Sequence, residues 1–204
     1  MKNIQVMAGE PTDETTHWKE LLSGSKEAYA AIYGLHVKAM FRYGMSLVSI
    51  SEEFVLDCIH DVFAEIWIKR ERLSVPDNIR SYLFVALKNR ILHLLKRQER
   101  PHMFVTQEHF EDLWFEASAE DILTQKEESA SREELLTRLI GQLPPRQQEA
   151  IRLRFVENMD YQEIGHVLEV NTQSAHNLVF RAMEKLRGWL LAALFLFQYS
   201  WFQK

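Results

Sequence analysis

Apolar residues recur every three or four positions along most of this chain, and that spacing is the tightest constraint on what it can fold into. Tyr29, Ile32, Tyr33, Val37, Met40, Phe41 and Gly44 follow it, as do Val55, Ile59, Val62, Phe63 and Ile66. Ile79, Tyr82, Leu83, Ala86, Leu87, Ile91 and Leu94 repeat the pattern. Such stripes lie on one face of a helix, and no segment shows the alternation that a half-buried strand needs. The expected fold class is all-α. With 47% hydrophobic and 26% charged residues in 204, the chain can build one ordinary core or two small ones.

Charge divides the chain. Residues 69–100 carry nine Lys/Arg against three Asp/Glu, whereas 107–134 carry ten Asp/Glu against two Lys/Arg and the weakest periodicity. The acidic stretch therefore reads as a linker. The expected organisation is an N-terminal segment 1–22, a helical domain 23–100, an acidic linker 101–134, a second helical domain 135–188 and an apolar tail 189–204.

The second domain has the punctuation of a helix-turn-helix. Pro144 and Pro145 suit the first turn of a helix, where the missing N–H costs nothing. Asp160 with Glu163 three residues on is a capping-box pattern. After a break at 169–171, Asn171 or Thr172 can cap a further helix. That helix turns Ala175, Leu178, Val179, Ala182 and Leu186 inward and shows Gln173, His176, Asn177, Phe180 and Arg181 outward. Asn and Gln can bond adenine and Arg can bond guanine in bidentate fashion, which suits a major-groove reader. A plain three-helix bundle fits the same pattern, and the six positive and six negative charges of 144–188 favour neither.

The first domain has two contrasting faces. Asp57, Asp61 and Glu65 lie at i, i+4 and i+8, an acidic stripe with His60 beside it. Like charges at this spacing repel by a few tenths of a kcal/mol, so the stripe fits a basic protein partner or a solvated face. Pro76-Asp77-Asn78 is a loop signal. The helix after it places Asn89, His93, Lys96 and Arg100 on one basic face with Lys88 adjacent, suited to phosphate contact. Arg90 and Arg97 fall nearer the apolar side, where they snorkel or pair. Tyr82, Phe84 and Trp67 supply aromatics nearby, either as stacking platforms for single strands or as core.

Several classes are excluded. The one cysteine, Cys58, permits neither an intramolecular disulfide nor a multi-cysteine zinc site. The histidines form no metal-ligand pattern, and there is no nucleophile elbow, P-loop or dinucleotide turn. No enzyme, metal or cofactor is expected. The N-terminus has no signal-peptide core. A net charge of −5 argues against coating nucleic acid by bulk electrostatics.

Three runs resemble extracytoplasmic-function (ECF) sigma factors. Val55 to Phe63, with Trp67 after it, is similar to their core-binding segment. Asn78 to Asn89 is similar to the promoter-melting segment. Leu143 to Gln147, Tyr161 to Gly165 and Phe180 to Arg187 are similar to their −35-reading domain. The resemblance spans about 23–188 and implies a σ2-like and a σ4-like domain with no σ3 between them. It implies a cytoplasmic, non-catalytic subunit that gives core RNA polymerase its promoter DNA specificity. It also implies an anti-sigma partner and no small-molecule substrate. By position, Asp57, His60, Asp61 and Glu65 would face the polymerase. The loop 74–78 with Asn78, Arg80, Lys88, Asn89, His93 and Lys96 would grip the melted −10 strand and hold a flipped base. Gln173, Ser174, His176, Asn177 and Arg181 would read the −35 element.

Departures from the family pattern carry expectations of their own. His60 replaces the usual glutamine, which makes core binding sensitive to pH. Glu169 stands where the turn usually has Gly, so that turn is expected to be reshaped. His176 and Leu178 stand where Lys or Arg is common. The tail 189–202 is nearly continuous apolar sequence of fourteen residues, roughly 21 Å of helix and short of a bilayer core of roughly 30 Å. Packing on the second domain and docking of an anti-sigma factor are its two readings. Two rival functions remain: a stand-alone helix-turn-helix regulator, and an adaptor that mimics sigma surfaces.

Overall fold

A computed structural model describes residues 11–48, 51–97 and 128–202, with side chains over 14–48, 51–97 and 135–191. The regular elements of the described residues are helices: α1 (Pro11–Leu22), α2 (Lys26–Leu47), α3 (Glu52–Lys69), α4 (Ile79–Arg97), α5 (Glu128–Gly141), α6 (Pro145–Phe155), α7 (Tyr161–Leu168) and α8 (Thr172–Phe202), with a single 3-10 turn at Arg70–Arg72. The all-α expectation stands. The chain divides into two compact units, the first built on α1 to α4 and the second on α5 to α8. Most of the acidic linker expected at 101–134 lies outside the described residues, and its last part is the start of α5.

In the first unit, each helix buries the stripe that its sequence spacing marks. Ile59, Val62, Phe63 and Ile66 of α3 and Leu83, Phe84, Leu87 and Ile91 of α4 are all buried. Helix α2 comes so close to α3 that a Cβ on Gly44 would lie 2.5 Å from Val55 Cγ1. Aromatic rings fill the rest of that seam. Tyr29 and Tyr33 meet Phe63 edge-on at centroid distances of 5.9 and 5.0 Å, and Tyr43 stacks on Phe84 at 4.8 Å. Trp67 belongs to the same packing: its ring lies 5.3 Å from Tyr29 and carries the Arg70 guanidinium at 4.7 Å.

Helix α1 was not expected to be part of this unit, because one tryptophan and one leucine make too short a stripe to stand out. Yet Trp18 and Leu21 are fully buried. The Trp18 indole N–H reaches the Ser74 carbonyl at 3.4 Å, and its ring meets Tyr82 edge-on at 5.6 Å. Buried His36 of α2 pairs with Glu14 at 2.8 Å. Gly24, at φ +98°, ends α1, and the Ser25 hydroxyl accepts the Ala28 N–H to start α2. Ser51 caps α3, whose first turn is acidic and whose last turn carries Lys69, both matched to the helix dipole.

The second unit buries Leu139, Ile140, Leu143, Ile151, Leu153, Ile164, Val167 and Leu168 against Ala175, Val179, Ala182 and Leu186 of α8. Gln148 ties α5 to α6 by donating to the carbonyls of Gly141 (2.9 Å) and Leu143 (2.7 Å). Helix α8 does not stop near 188 but runs on through the apolar tail to Phe202. Among the described residues no helix is long and apolar enough to cross a membrane.

Cys58 is buried inside α3, and burial pushes its thiol from 9.0 up to about 11. Between those values the folded chain keeps a proton that the unfolded chain has lost, so this contribution to stability falls as pH rises through that range. Chemical denaturation at successive pH values should show a decline above about pH 9 that Cys58→Ala flattens. Thiol alkylation of the native protein should track unfolding.

Candidate nucleic-acid and protein interfaces

The turn between α7 and α8 sets where the outward face of α8 points. Asp160 opens α7 with a full capping box: its carboxylate accepts the Gln162 and Glu163 N–H groups, each at 2.8 Å, while Glu163 accepts the Asp160 N–H at 2.7 Å. Glu169 closes α7 in the left-handed region, φ 54° and ψ 48°. The expectation that a non-Gly residue here reshapes the turn is therefore corrected. The turn keeps the left-handed cap, with the Val170 N–H on the Gly165 carbonyl at 2.9 Å, and Glu169 bears a conformational cost of about 1 kcal/mol. The side chain that must be absent is at Gly165, where a Cβ would sit 2.8 Å from the Val170 carbonyl oxygen. Asn171, rather than Thr172, caps α8 through its side-chain oxygen on the Ser174 N–H at 2.7 Å.

On α8, Gln173, His176, Asn177 and Arg181 are exposed and Ser174 is half-buried. Gln173 donates to the Asn177 side-chain oxygen at 3.3 Å, so these two amides are held side by side. Phe180 is 55% exposed in the middle of this polar face. Its ring stacks on His176 at 6.3 Å, and His176 meets Tyr161 at 4.9 Å. The Arg154 guanidinium lies 5.1 Å over the Tyr161 ring, and it donates to the Met159 carbonyl at 2.8 Å. Three helices thus brace the ring at position 176. Helical spacing alone could not bring Arg154 and Tyr161 to this face, because they come from other elements.

In the first unit the acidic stripe is less uniform than its spacing suggests. Asp57, His60 and Glu65 are exposed, but Asp61 is only half-exposed. Arg90 of α4 reaches it through Nε (3.0 Å) and Nη2 (2.6 Å), which settles the pairing open for Arg90. His60 shares a 3.2 Å hydrogen bond with the Tyr33 hydroxyl. Glu65 accepts from Lys69 one turn on. The stripe is therefore stitched to α2, to α4 and to its own helix.

Between α3 and α4 lies a cavity of about 470 Å³. Val62 and Ile66 of α3 and Ala86 of α4 form its apolar lining, with Leu73 from the following loop. Glu65 and Lys69 stand on one wall and Tyr82, Asn89 and His93 on the other. Burial, with the Glu65 carboxylate adding to it and Lys69 opposing, holds the Tyr82 hydroxyl above the ordinary phenol range. Glu65, expected on the polymerase side, thus shares a site with Asn89 and His93, expected on the DNA side. The remaining residues of that set are placed differently. Asn78 caps α4, its side-chain oxygen accepting the Ser81 N–H at 2.7 Å. Arg80 is half-buried over the Phe84 ring at 5.7 Å, Lys88 is half-buried, and Lys96 is exposed on the last turn.

Residues 133–186 match the family model of sigma-70 region 4. The ECF RNA polymerase sigma factor SigM of Bacillus subtilis (strain 168) is 17% identical over 157 residues, 77% of this chain and 91% of that protein. The chain is thus similar to sigma-70 region 4 over its second unit and, more distantly, to an ECF sigma factor over most of its length. Two solved structures share its fold at 18% identity. CnrH, in complex with the cytosolic domain of CnrY, aligns with a TM-score of 0.59 over 88% of this chain and 98% of its own. The sigma factor RpoE from Bartonella quintana, in complex with the anti-sigma factor NepR, gives 0.54 over 79% and 96%.

The turn before α8 is a direct test of local physics. Glu169→Gly should raise the melting temperature, the relieved strain being worth up to about 1 kcal/mol, whereas Gly165→Ala should lower it. Asn78→Ala should cost about 1 kcal/mol as a lost cap, measured by denaturation.

Proposed function

We propose that this chain binds core RNA polymerase and directs it to promoters, doing no chemistry of its own. The carrying observation is that α3 and α4 combine an acidic outer stripe with an open cavity of mixed polar and apolar lining, on a chain that also holds a helix-turn-helix. Asp57, His60 and Asp61 form the polymerase-facing stripe. The cavity, with Glu65, Asn89 and His93 around it, holds one flipped base of the melted −10 strand, and Lys88 and Lys96 attract the phosphates beside it. Asn78 and Arg80 serve the same strand by fixing the start of α4. On α8, Gln173, Asn177 and His176 read base edges of the −35 element, and Ser174 and Arg181 hold phosphates. The working domains are those read from sequence, at 23–100 and 135–188, with α1 buttressing the first. An anti-sigma factor holds the chain in the cytoplasm until it is needed, by analogy with the complexes of CnrH and of RpoE.

The acidity supports dependence on polymerase: at net −5 the chain has little nonspecific pull on DNA. It should bind promoter fragments weakly alone and specifically with core enzyme, as read by gel shift and in vitro transcription. Nanomolar promoter binding without core at physiological salt would instead identify a stand-alone regulator. Core binding without promoter melting would identify an adaptor. Asp57→Lys should weaken co-purification with core several-fold while leaving the melting temperature unchanged, because Asp57 is exposed. Asp61 is a poorer probe, since reversing it would set a second cation against Arg90.

A further inference from the structure

We infer that the end of α8, residues 189–202, is a membrane-docking segment that lodges in one leaflet of an anionic lipid bilayer without crossing it. The inference does not depend on the function proposed above.

The first part of α8 and its end follow different rules. From 172 to 187 the helix is two-sided, with Ala175, Val179, Ala182 and Leu186 buried and Gln173, Asn177, Arg181 and Lys185 exposed. From Trp189 to Phe197 the sequence holds no polar residue. Gln198 and Ser200 follow, but residues two apart on a helix lie about 200° apart around its axis, so they form no polar face. A helix that docks in a groove or pairs in a two-stranded seam needs an apolar stripe and a polar back. A helix apolar all round needs apolar surroundings on every side, and a bilayer supplies them.

The segment also begins clear of its own unit. Leu186 is the last buried residue of α8 among the described residues, and Leu191 is 54% exposed. A Cβ on Gly188 would meet nothing within 4 Å.

Length and charge decide how the bilayer takes it. Fourteen residues make roughly 21 Å of helix against a hydrocarbon core of roughly 30 Å, too short to cross. Cations flank the segment on both sides, exposed Lys185 and Arg187 before it and Lys204 after it, against Glu184 alone. Neither flank can be left in hydrocarbon. Both ends therefore return to one headgroup layer, with the helix lying lengthwise beneath it. Lys and Arg at that level are drawn to anionic lipid. Trp189, Tyr199 and Trp201, near the two ends, are of the types that concentrate at the boundary between water and hydrocarbon.

The test uses the full chain and flotation with vesicles of phosphatidylglycerol and phosphatidylethanolamine, or of phosphatidylcholine alone. The wild type should float with the anionic vesicles and bind the neutral ones several-fold less. Brominated acyl chains should quench its tryptophan emission. Trp189→Phe with Trp201→Phe should abolish the quenching and leave flotation in place. Leu194→Asp should lower binding about ten-fold or more. Lys185→Glu with Arg187→Glu should lower it several-fold, and on anionic lipid only. Both of those positions are exposed, and circular dichroism melts should stay at the wild-type temperature. No flotation of the wild type with anionic vesicles overturns the inference, whatever the variants do. Quenching that survives the loss of Trp189 and Trp201 overturns it in favour of adventitious binding through another face. Sedimenting dimers that Leu194→Asp dissociates, with no flotation of the wild type, would assign the segment to a second copy of the chain instead.

Discussion

The placement of α3 depends on a side chain that is missing from α2. At Gly44 a methyl of Val55 occupies the space that a Cβ on α2 would need. A larger residue there would push the helices apart, and the Tyr29, Tyr33 and Phe63 rings would lose their edge-on contacts. Because α3 is seated this way, its opposite face is fixed in direction. Asp57, His60 and Asp61 then look outward as a group, and Glu65 and Lys69 turn to the cavity shared with α4. Gly165 plays the matching part in the second unit, where the backbone of the turn passes too close for a Cβ. In the first unit the exposed face is aimed by a contact on the helix that bears it, and in the second by a contact in the turn before that helix.

Electrostatics in the first unit are arranged in pairs that cross between elements. Arg90 couples α4 to the acidic stripe through Asp61, and it also lines the cavity. The pair is partly exposed, so its contribution to stability is small. Its larger effect is on geometry, because a guanidinium fork holds the two helices at a set separation. The acidic stripe and the cavity of this unit are consequently built on a single helix pair.

Much of this was legible in the sequence because helical spacing and capping act over a few residues. The stripes of α3 and α4, the Asp160 capping box and the outward set on α8 follow from local rules. What could not be read are contacts between elements. Tyr82 and Trp67, open as base-stacking candidates, pack against Trp18 and Tyr29, and Tyr82 also lines the cavity. That Asn78 caps α4 was not evident, since a side chain that ends a loop can bond forward to the helix as well as outward. Glu65 sat on an acidic stripe by spacing, yet α4 brings Asn89 and His93 beside it. The turn at Glu169 kept its left-handed form because bonding across the turn outweighs the steric cost at one residue.

Helix α8 joins the exposed polar face of Gln173 and Asn177 and the apolar tail in one unbroken rod of 31 residues, about 46 Å long at the usual rise. No proline or glycine pair interrupts it to serve as a joint. A rod without a joint transmits rotation and tilt from end to end. Whatever grips the far end of α8 therefore steers Gln173 and Asn177 as a handle steers a key, and a small swing at Phe202 reappears as an angular change at the other end.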